Sequence, residues 1–128
     1  MVSLLFLSHS KEIAKGVQEL AKEVNKSNPI YAVGGTKDGA TGADYDSTYE
    51  AVMKSLSDGE VIILFDLGST LMTVQMILDD LPEDERSRVY LTDAALVEGA
   101  IVVSVGLEAG YSIEEALNEL KKLSLNKL

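Results

Sequence analysis

Apolar residues fall along this chain in two alternating rhythms. Val2–Leu7 is a nearly continuous apolar run, the pattern of a strand covered on both faces. Ile13, Val17, Leu20, Ala21 and Val24 then recur at helical spacing with Lys and Glu between them, and Asn28-Pro29 closes that helix. The alternation repeats: Ile30–Val33 predicts a second strand, a glycine-bearing loop runs from Gly34 to Gly42, and Tyr49, Val52, Met53 and Leu56 predict a second helix ended by Asp58-Gly59. Val61–Phe65 predicts a third strand that runs into Asp66-Leu67-Gly68-Ser69-Thr70, after which Leu71, Val74, Ile77, Leu78 and Leu81 predict a helix stopped at Pro82. Val89–Leu91 predicts a brief fourth strand. An apolar helix over roughly Val97 to Ala109 follows, with Gly110 as its C′ residue. Ser112-Ile113-Glu114-Glu115 fits a capping box for a last helix with Ala116, Leu117, Leu120 and Leu123 on one face. Ser124–Leu128 leaves the pattern and is expected to fray.

Strands alternating with helices through short connections predict an α/β fold: a doubly wound, mostly parallel sheet of about four strands with helices on both faces. No repeat, low-complexity segment or linker interrupts it, so 1–128 reads as a single domain. In such sheets, sites form where loops leave the C-terminal ends of the strands. The loops converging there are Ser8-His9-Ser10, Gly34–Gly42, Asp66–Thr70 and Thr92–Leu96.

Composition narrows the chemistry these loops can carry. With 11 Lys+Arg against 21 Asp+Glu the net charge is −10, which argues against a nucleic-acid surface and against docking on an anionic membrane. The absence of cysteine removes thiol catalysis, disulfides and Cys-type zinc sites, and a single histidine removes any site that needs two from one chain. No stretch approaches the ~18–20 apolar residues of a membrane span, and the N-terminus lacks the basic region of a secretory signal, so a cytoplasmic location is expected. Asp79-Asp80 and Glu83-Asp84-Glu85 read as a solvated face, and neither a metal nor an organic cofactor is expected.

The single histidine, His9, lies between the first strand and the first helix; a histidine in such a loop is often a surface or capping residue, but free helix N–H groups and the helix dipole there also favour an anion such as a phosphoryl group. Asp66 falls across the neighbouring strand. As a partner it would hold one ring N–H and leave the other nitrogen's lone pair outward; as a cap it would serve only the third helix, and spacing permits either. Ser8 and Ser10 flank His9, and Gly68, Ser69 and Thr70 offer amides and hydroxyls to phosphate oxygens, although Ser69 or Thr70 also suits an N-cap. Gly34-Gly35-Thr36 and Thr41-Gly42 either bring backbone to the same place or form a flexible connection. The candidate phosphate-supporting set is therefore Ser8, Ser10, Gly35, Thr36, Gly68, Ser69 and Thr70. Tyr45 and Tyr49 are expected on the core or the loop, and Met53, Met72 and Met76 in packing.

Four motifs in register carry a resemblance: Leu7-Ser8-His9-Ser10, Gly34-Gly35-Thr36, Asp66-Leu67-Gly68-Ser69 and Ala95-Leu96-Val97-Glu98-Gly99. Together they resemble the phosphotransfer subunits of PTS-dependent dihydroxyacetone kinases, within the wider mannose-family enzyme IIA domains. The resemblance covers essentially the whole chain. It implies a doubly wound domain that forms a homodimer. It also implies that His9 accepts a phosphoryl group from the phosphocarrier protein HPr. The group then passes to ADP on an ADP-binding kinase subunit, and the resulting ATP phosphorylates dihydroxyacetone on a third subunit. In this family pattern Asp66 matches the carboxylate that orients the histidine, and Gly68 and Ser69 match the Gly-Ser that follows it.

Many mannose-family transporters have glycine where this chain has Ser10, so a sugar-transporter enzyme IIA is the alternative that fits less well. A response-regulator receiver needs an acidic pair where Ser8-His9 stands, a small chelatase needs a second histidine, and a flavodoxin-like carrier needs aromatic cover that the site loops lack. A non-enzymatic interaction module is the remaining reading.

Overall fold

The structure is a computed structural model that describes all 128 residues. Its elements in chain order are β1 (Val2–Ser8), α1 (Lys11–Val24), β2 (Ile30–Gly34), α2 (Tyr45–Leu56), β3 (Glu60–Phe65), α3 (Gly68–Asp79), α4 (Glu83–Arg86), β4 (Val89–Thr92), α5 (Leu96–Glu108) and α6 (Ile113–Lys121). The four strands pair in parallel in the order β2-β1-β3-β4, with Leu7 opposite Val33 on one side and Phe65 on the other.

The apolar runs of β1 and β3 follow from their central position. Successive side chains on a strand point to opposite faces. Leu4, Phe6, Ile62 and Leu64 enter one core with residues of α1, α5 and α6. Leu5, Leu7, Ile63 and Phe65 enter a second core with residues of α2 and α3. Each such side chain contributes about 1.5–3 kcal/mol by leaving water.

The order of winding sets the place of the site. From β1 the chain moves outward to β2, returns past β1 to β3, and continues to β4. The direction reverses between β1 and β3, so the loops after these two strands diverge to opposite faces and open a crevice between them. α1 comes down tightly beside this crevice. Its N-cap is Ser10, whose Oγ accepts from the Ile13 amide at 3.4 Å. The buried face of α1 is Ala14, Val17 and Ala21, while Ile13, Leu20 and Val24 are exposed, because only small residues fit at this separation. Gly34 makes the approach feasible: a Cβ there would stand 2.3 Å from the Ser10 carbonyl oxygen and 2.9 Å from Ala14 Cβ.

Several expectations from the pattern are corrected. α2 begins at Tyr45, because the Asp44 carboxylate caps it by accepting from the Ser47 amide at 2.8 Å. Tyr45 and Tyr49 stack on one another at the surface, centroids 6.3 Å apart, and not on the core. Leu67 is the N-cap residue of α3, without a side-chain cap, so Ser69 and Thr70 lie inside the helix. Met53 packs against the second core, but Met72 and Met76 point to solvent, since the buried stripe of α3 is Thr70, Val74, Ile77 and Leu78. α4 is a single polar turn with no buried residue, and hence no periodicity to read.

Ser124–Leu128 does not fray. Ala94 bridges to Ser124, the Leu125 amide donates to the Asp93 carbonyl at 3.1 Å, and the Asp93 carboxylate accepts from Ser124 Oγ at 2.9 Å and the Lys127 amide at 3.0 Å. No helix is long and apolar enough to cross a membrane.

Candidate functional site

Because Leu7 and Phe65 are paired, the residues that follow them emerge side by side at the reversal of the sheet. The Asp66 amide donates to the Leu7 carbonyl at 3.2 Å, and its carboxylate turns back toward β1. Oδ2 accepts from Ser8 Oγ at 2.6 Å and faces His9 Nδ1 at 2.7 Å. The His9 amide reaches both carboxylate oxygens, at 3.2 and 3.3 Å. Oδ1 accepts from the Leu67 amide at 2.6 Å and from the Thr70 hydroxyl at 3.1 Å. Of the two roles that spacing left open, Asp66 takes the histidine partner's: it does not cap the amides of α3, and it touches the start of that helix only through the Leu67 amide and the Thr70 hydroxyl.

An ionised carboxylate can only accept, so the imidazole proton sits on Nδ1 and the lone pair on Nε2. Nε2 has no hydrogen-bond partner in the protein, and the His9 side chain is 29% exposed against 13% for Asp66. Burial pushes the Asp66 pKa up. Hydrogen bonds from Ser8, the His9 ring, and the Leu67 and His9 amides outweigh it and leave the carboxyl below its ordinary value. The pair is thus an anchored anion behind a partly exposed ring nitrogen with a free lone pair.

The other expected residues separate into distinct positions. Ser8 is buried, and its Oγ also accepts from the Ser10 amide at 3.1 Å, so one hydroxyl joins the histidine loop to Asp66. Thr70 is buried against Asp66 and does not reach the surface. The Gly35 amide donates to the Ser8 carbonyl at 3.4 Å, the Gly42 amide to the His9 carbonyl at 2.8 Å, and the Thr36 amide to the Ala40 carbonyl at 2.9 Å. The glycine loop therefore braces the backbone of His9 from behind. Gly35 requires its glycine, with φ +75° and space for a Cβ only 2.9 Å from the Ala40 carbonyl oxygen. Ser69 is exposed at the first turn of α3. The amides of Lys11 and Glu12 opening α1, and of Gly68 and Ser69 opening α3, have no acceptor within the protein.

The structure adds one residue that no pattern indicated. Lys127 places its ammonium on the main-chain carbonyls of Phe65 at 2.6 Å, Ala94 at 3.2 Å and Asp66 at 3.4 Å. A single lysine in a polar segment carries no sequence signal. No group of three or more His, Asp or Glu side chains is placed to hold a metal ion. The main surface grooves, of which the largest is about 790 Å³ between β4 and α6, are lined by residues other than His9 and Asp66. His9 stands on an open rim.

Residues 3–117 match the family model described as PTS system fructose IIA component. The chain is 37% identical over 127 residues to the PEP-dependent dihydroxyacetone kinase phosphoryl donor subunit DhaM of Providencia stuartii, covering 95% of this chain and 26% of that protein. It is 33% identical over 124 residues to the PTS-dependent dihydroxyacetone kinase phosphotransferase subunit DhaM of Lactococcus lactis, covering 97% of each. It thus spans about a quarter of one relative and nearly all of the other. Among solved structures it superposes with TM-score 0.85 and 32% identity on the crystal structure of a protein of unknown function, covering 94% of this chain and 92% of that one. A sigma-54 interaction domain protein from Enterococcus faecalis superposes with TM-score 0.68 at 15% identity over 94% of this chain and 88% of its own, a likeness of fold alone.

Proposed function

The chain belongs to the PTS system fructose IIA component family, and from that premise we propose that it is a phosphohistidine carrier acting on Nε2 of His9. The phosphoryl group comes from phospho-HPr and goes to ADP on the ADP-binding subunit of a dihydroxyacetone kinase. The observation that carries this reading is the 2.7 Å contact between His9 Nδ1 and Asp66 Oδ2, which fixes the proton on one ring nitrogen and leaves the other as a lone-pair donor. The names of the relatives, phosphoryl donor or phosphotransferase subunits of dihydroxyacetone kinases, support the choice of acceptor.

In the transfer, the Nε2 lone pair attacks phosphorus in line. The N–P bond of the donor phosphohistidine breaks as the new N–P bond forms, and the donor imidazole leaves with the electron pair. His9 gains imidazolium character, which the Asp66 carboxylate stabilises while holding Nδ1–H. Little covalent help is needed, because phosphoryl transfer responds mainly to positioning and charge stabilisation. The unpaired amides at the starts of α1 and α3, with Ser69, are the groups available to phosphoryl oxygens, while Ser8, Ser10, Gly35, Thr36 and Thr70 hold the loop and the carboxylate in place. An open rim suits a group delivered and collected by other proteins. The exposed Leu67, Met72 and Met76 give that rim an apolar margin, and the acidic surface selects partners by charge. A homodimer in the cytoplasm completes the reading.

Incubation with phosphoenolpyruvate, enzyme I and HPr tests it. The wild type should acquire one acid-labile, alkali-stable phosphoryl group, and His9→Ala none. Label on His9→Ala, or label that is lost in alkali, would overturn the assignment.

A further inference from the structure

We propose that Lys127 is a positioning residue for the His9–Asp66 pair: its ammonium ties the end of β3 to the segment after β4 and so fixes the direction from which the Asp66 carboxylate meets His9. The catalytic part of this inference rests on the carrier reading above. Lys127 lies outside the residues 3–117 that match the family model.

Four observations converge on it. First, Lys127 alone among the lysines is not exposed. Second, its acceptors are all backbone carbonyls, those of Phe65, Ala94 and Asp66, and no other protein group donates to the Asp66 carbonyl. Third, it sits where the sheet stops supporting itself. The last pair between β3 and β4 is Leu64 with Thr92; beyond it the strands part, and the ammonium fills the gap from one carbonyl set to the other. Fourth, the side chain is delivered by a fastened segment, through the Asp93 carboxylate and the Ala94–Ser124 bridge, and it lies 4.5 Å from the centre of the Phe65 ring.

The chemistry points to a use beyond fastening. Taking an ammonium out of water is unfavourable, and a methionine would cover Phe65 as well without that penalty. Burial does push the Lys127 pKa down, with Asp66 and Asp93 acting in the opposite direction. The retained charge is aimed at the main chain of the residue whose side chain orients the nucleophile. Misplacing a reacting group by about 1 Å can cost up to 10²-fold in rate, so a brace on Asp66 acts on the transfer through His9.

The test compares Lys127→Met, Lys127→Arg and Asp93→Ala with the wild type, using phospho-HPr as donor and NMR of the His9 ring. Lys127→Met should lower kcat for phosphoryl uptake about tenfold, within the range that small misplacements produce, and leave KM for phospho-HPr unchanged. The Nδ1–H resonance of unphosphorylated His9 should shift and exchange faster with water, which a merely structural fastening would not cause. Lys127→Arg should recover most of the rate, and Asp93→Ala, which removes the acceptor of Ser124 Oγ and of the Lys127 amide, should change rate and resonance in the same direction as Lys127→Met. A Lys127→Met protein with rate and resonance both as in the wild type would overturn the proposal, as would a loss of rate that only tracks the unfolded fraction seen by circular dichroism. If the wild type itself takes up no phosphoryl group, the carrier reading fails, and the resonance still decides whether Lys127 positions the pair.

Discussion

Replacing Asp66 with asparagine isolates the tautomer argument. The carboxylate receives hydrogen bonds on both oxygens: Leu67 N–H and Thr70 Oγ on Oδ1, Ser8 Oγ and His9 Nδ1 on Oδ2. An asparagine has one accepting oxygen and one donating NH₂. The Leu67 amide, at 2.6 Å, is a backbone donor that cannot reverse, while the His9 amide reaches either oxygen, at 3.3 and 3.2 Å, so the asparagine oxygen takes the Oδ1 side and the NH₂ faces the His9 ring. The imidazole then accepts at Nδ1 and carries its proton on Nε2, which removes the lone pair that attacks phosphorus. A wrong tautomer of this kind costs a catalytic histidine about 10³–10⁴ in rate, or roughly 4–5.5 kcal/mol in the barrier. The fold suffers less, about 1–2 kcal/mol for weakened hydrogen bonds. Asp66→Ala imposes no donor on the ring, so both tautomers remain accessible and the loss should be only about 10–100-fold. Rapid-quench uptake of labelled phosphate from phospho-HPr gives the rates, and a long-range ¹H–¹⁵N spectrum shows which ring nitrogen holds the proton. The reasoning fails if Asp66→Asn transfers within tenfold of the wild type, or if Asp66→Ala is the slower of the two.

Two further outcomes follow from the same geometry. Gly34→Ala would place its Cβ 2.3 Å from the Ser10 carbonyl oxygen. It should destabilise the protein by about 1–3 kcal/mol, as overpacking does, and slow uptake by displacing the histidine loop; an unchanged thermal midpoint would refute this. Because the Asp66 pKa is held below 3.8 in the folded protein, its ionised form favours the folded state. That stabilisation is fully present above the unfolded value and is lost as pH falls through the lower folded value. Urea melts at descending pH should therefore show the wild type's advantage over Asp66→Asn shrinking in acid, and an advantage that persists at the lowest pH would contradict the assignment.

How legible each part was depends on whether a residue's neighbours enforce a pattern. β1 and β3 are covered on both faces, so their apolar runs could be read directly, and a parallel sheet with these strands at its centre brings the loops of His9 and Asp66 together. Which role Asp66 plays could not be read, because a helix cap and a histidine partner ask for the same residue at the same spacing. Met72 and Met76 misled because residues four apart share a helix face whether that face is buried or wet. Lys127 and the bonds of Asp93 left no trace, since each is a tertiary contact made by one polar residue in a segment without periodicity. The buried face of α1 was obscured for the opposite reason: alanines beside Gly34 pack closest, yet they are the least conspicuous apolar residues.

The sheet's two-sided cover decides which part of the molecule yields when its surface is pushed. Ser8 and Asp66 are rooted at the ends of the two innermost, fully covered strands, and core strands of that kind are the last to open in native-state hydrogen exchange. The glycine loop and the first turn of α3 lie outside that slow-exchanging centre. The strand ends can therefore keep the spacing of His9 and Asp66 when the exposed periphery is pushed, as a die keeps its form under a moving press.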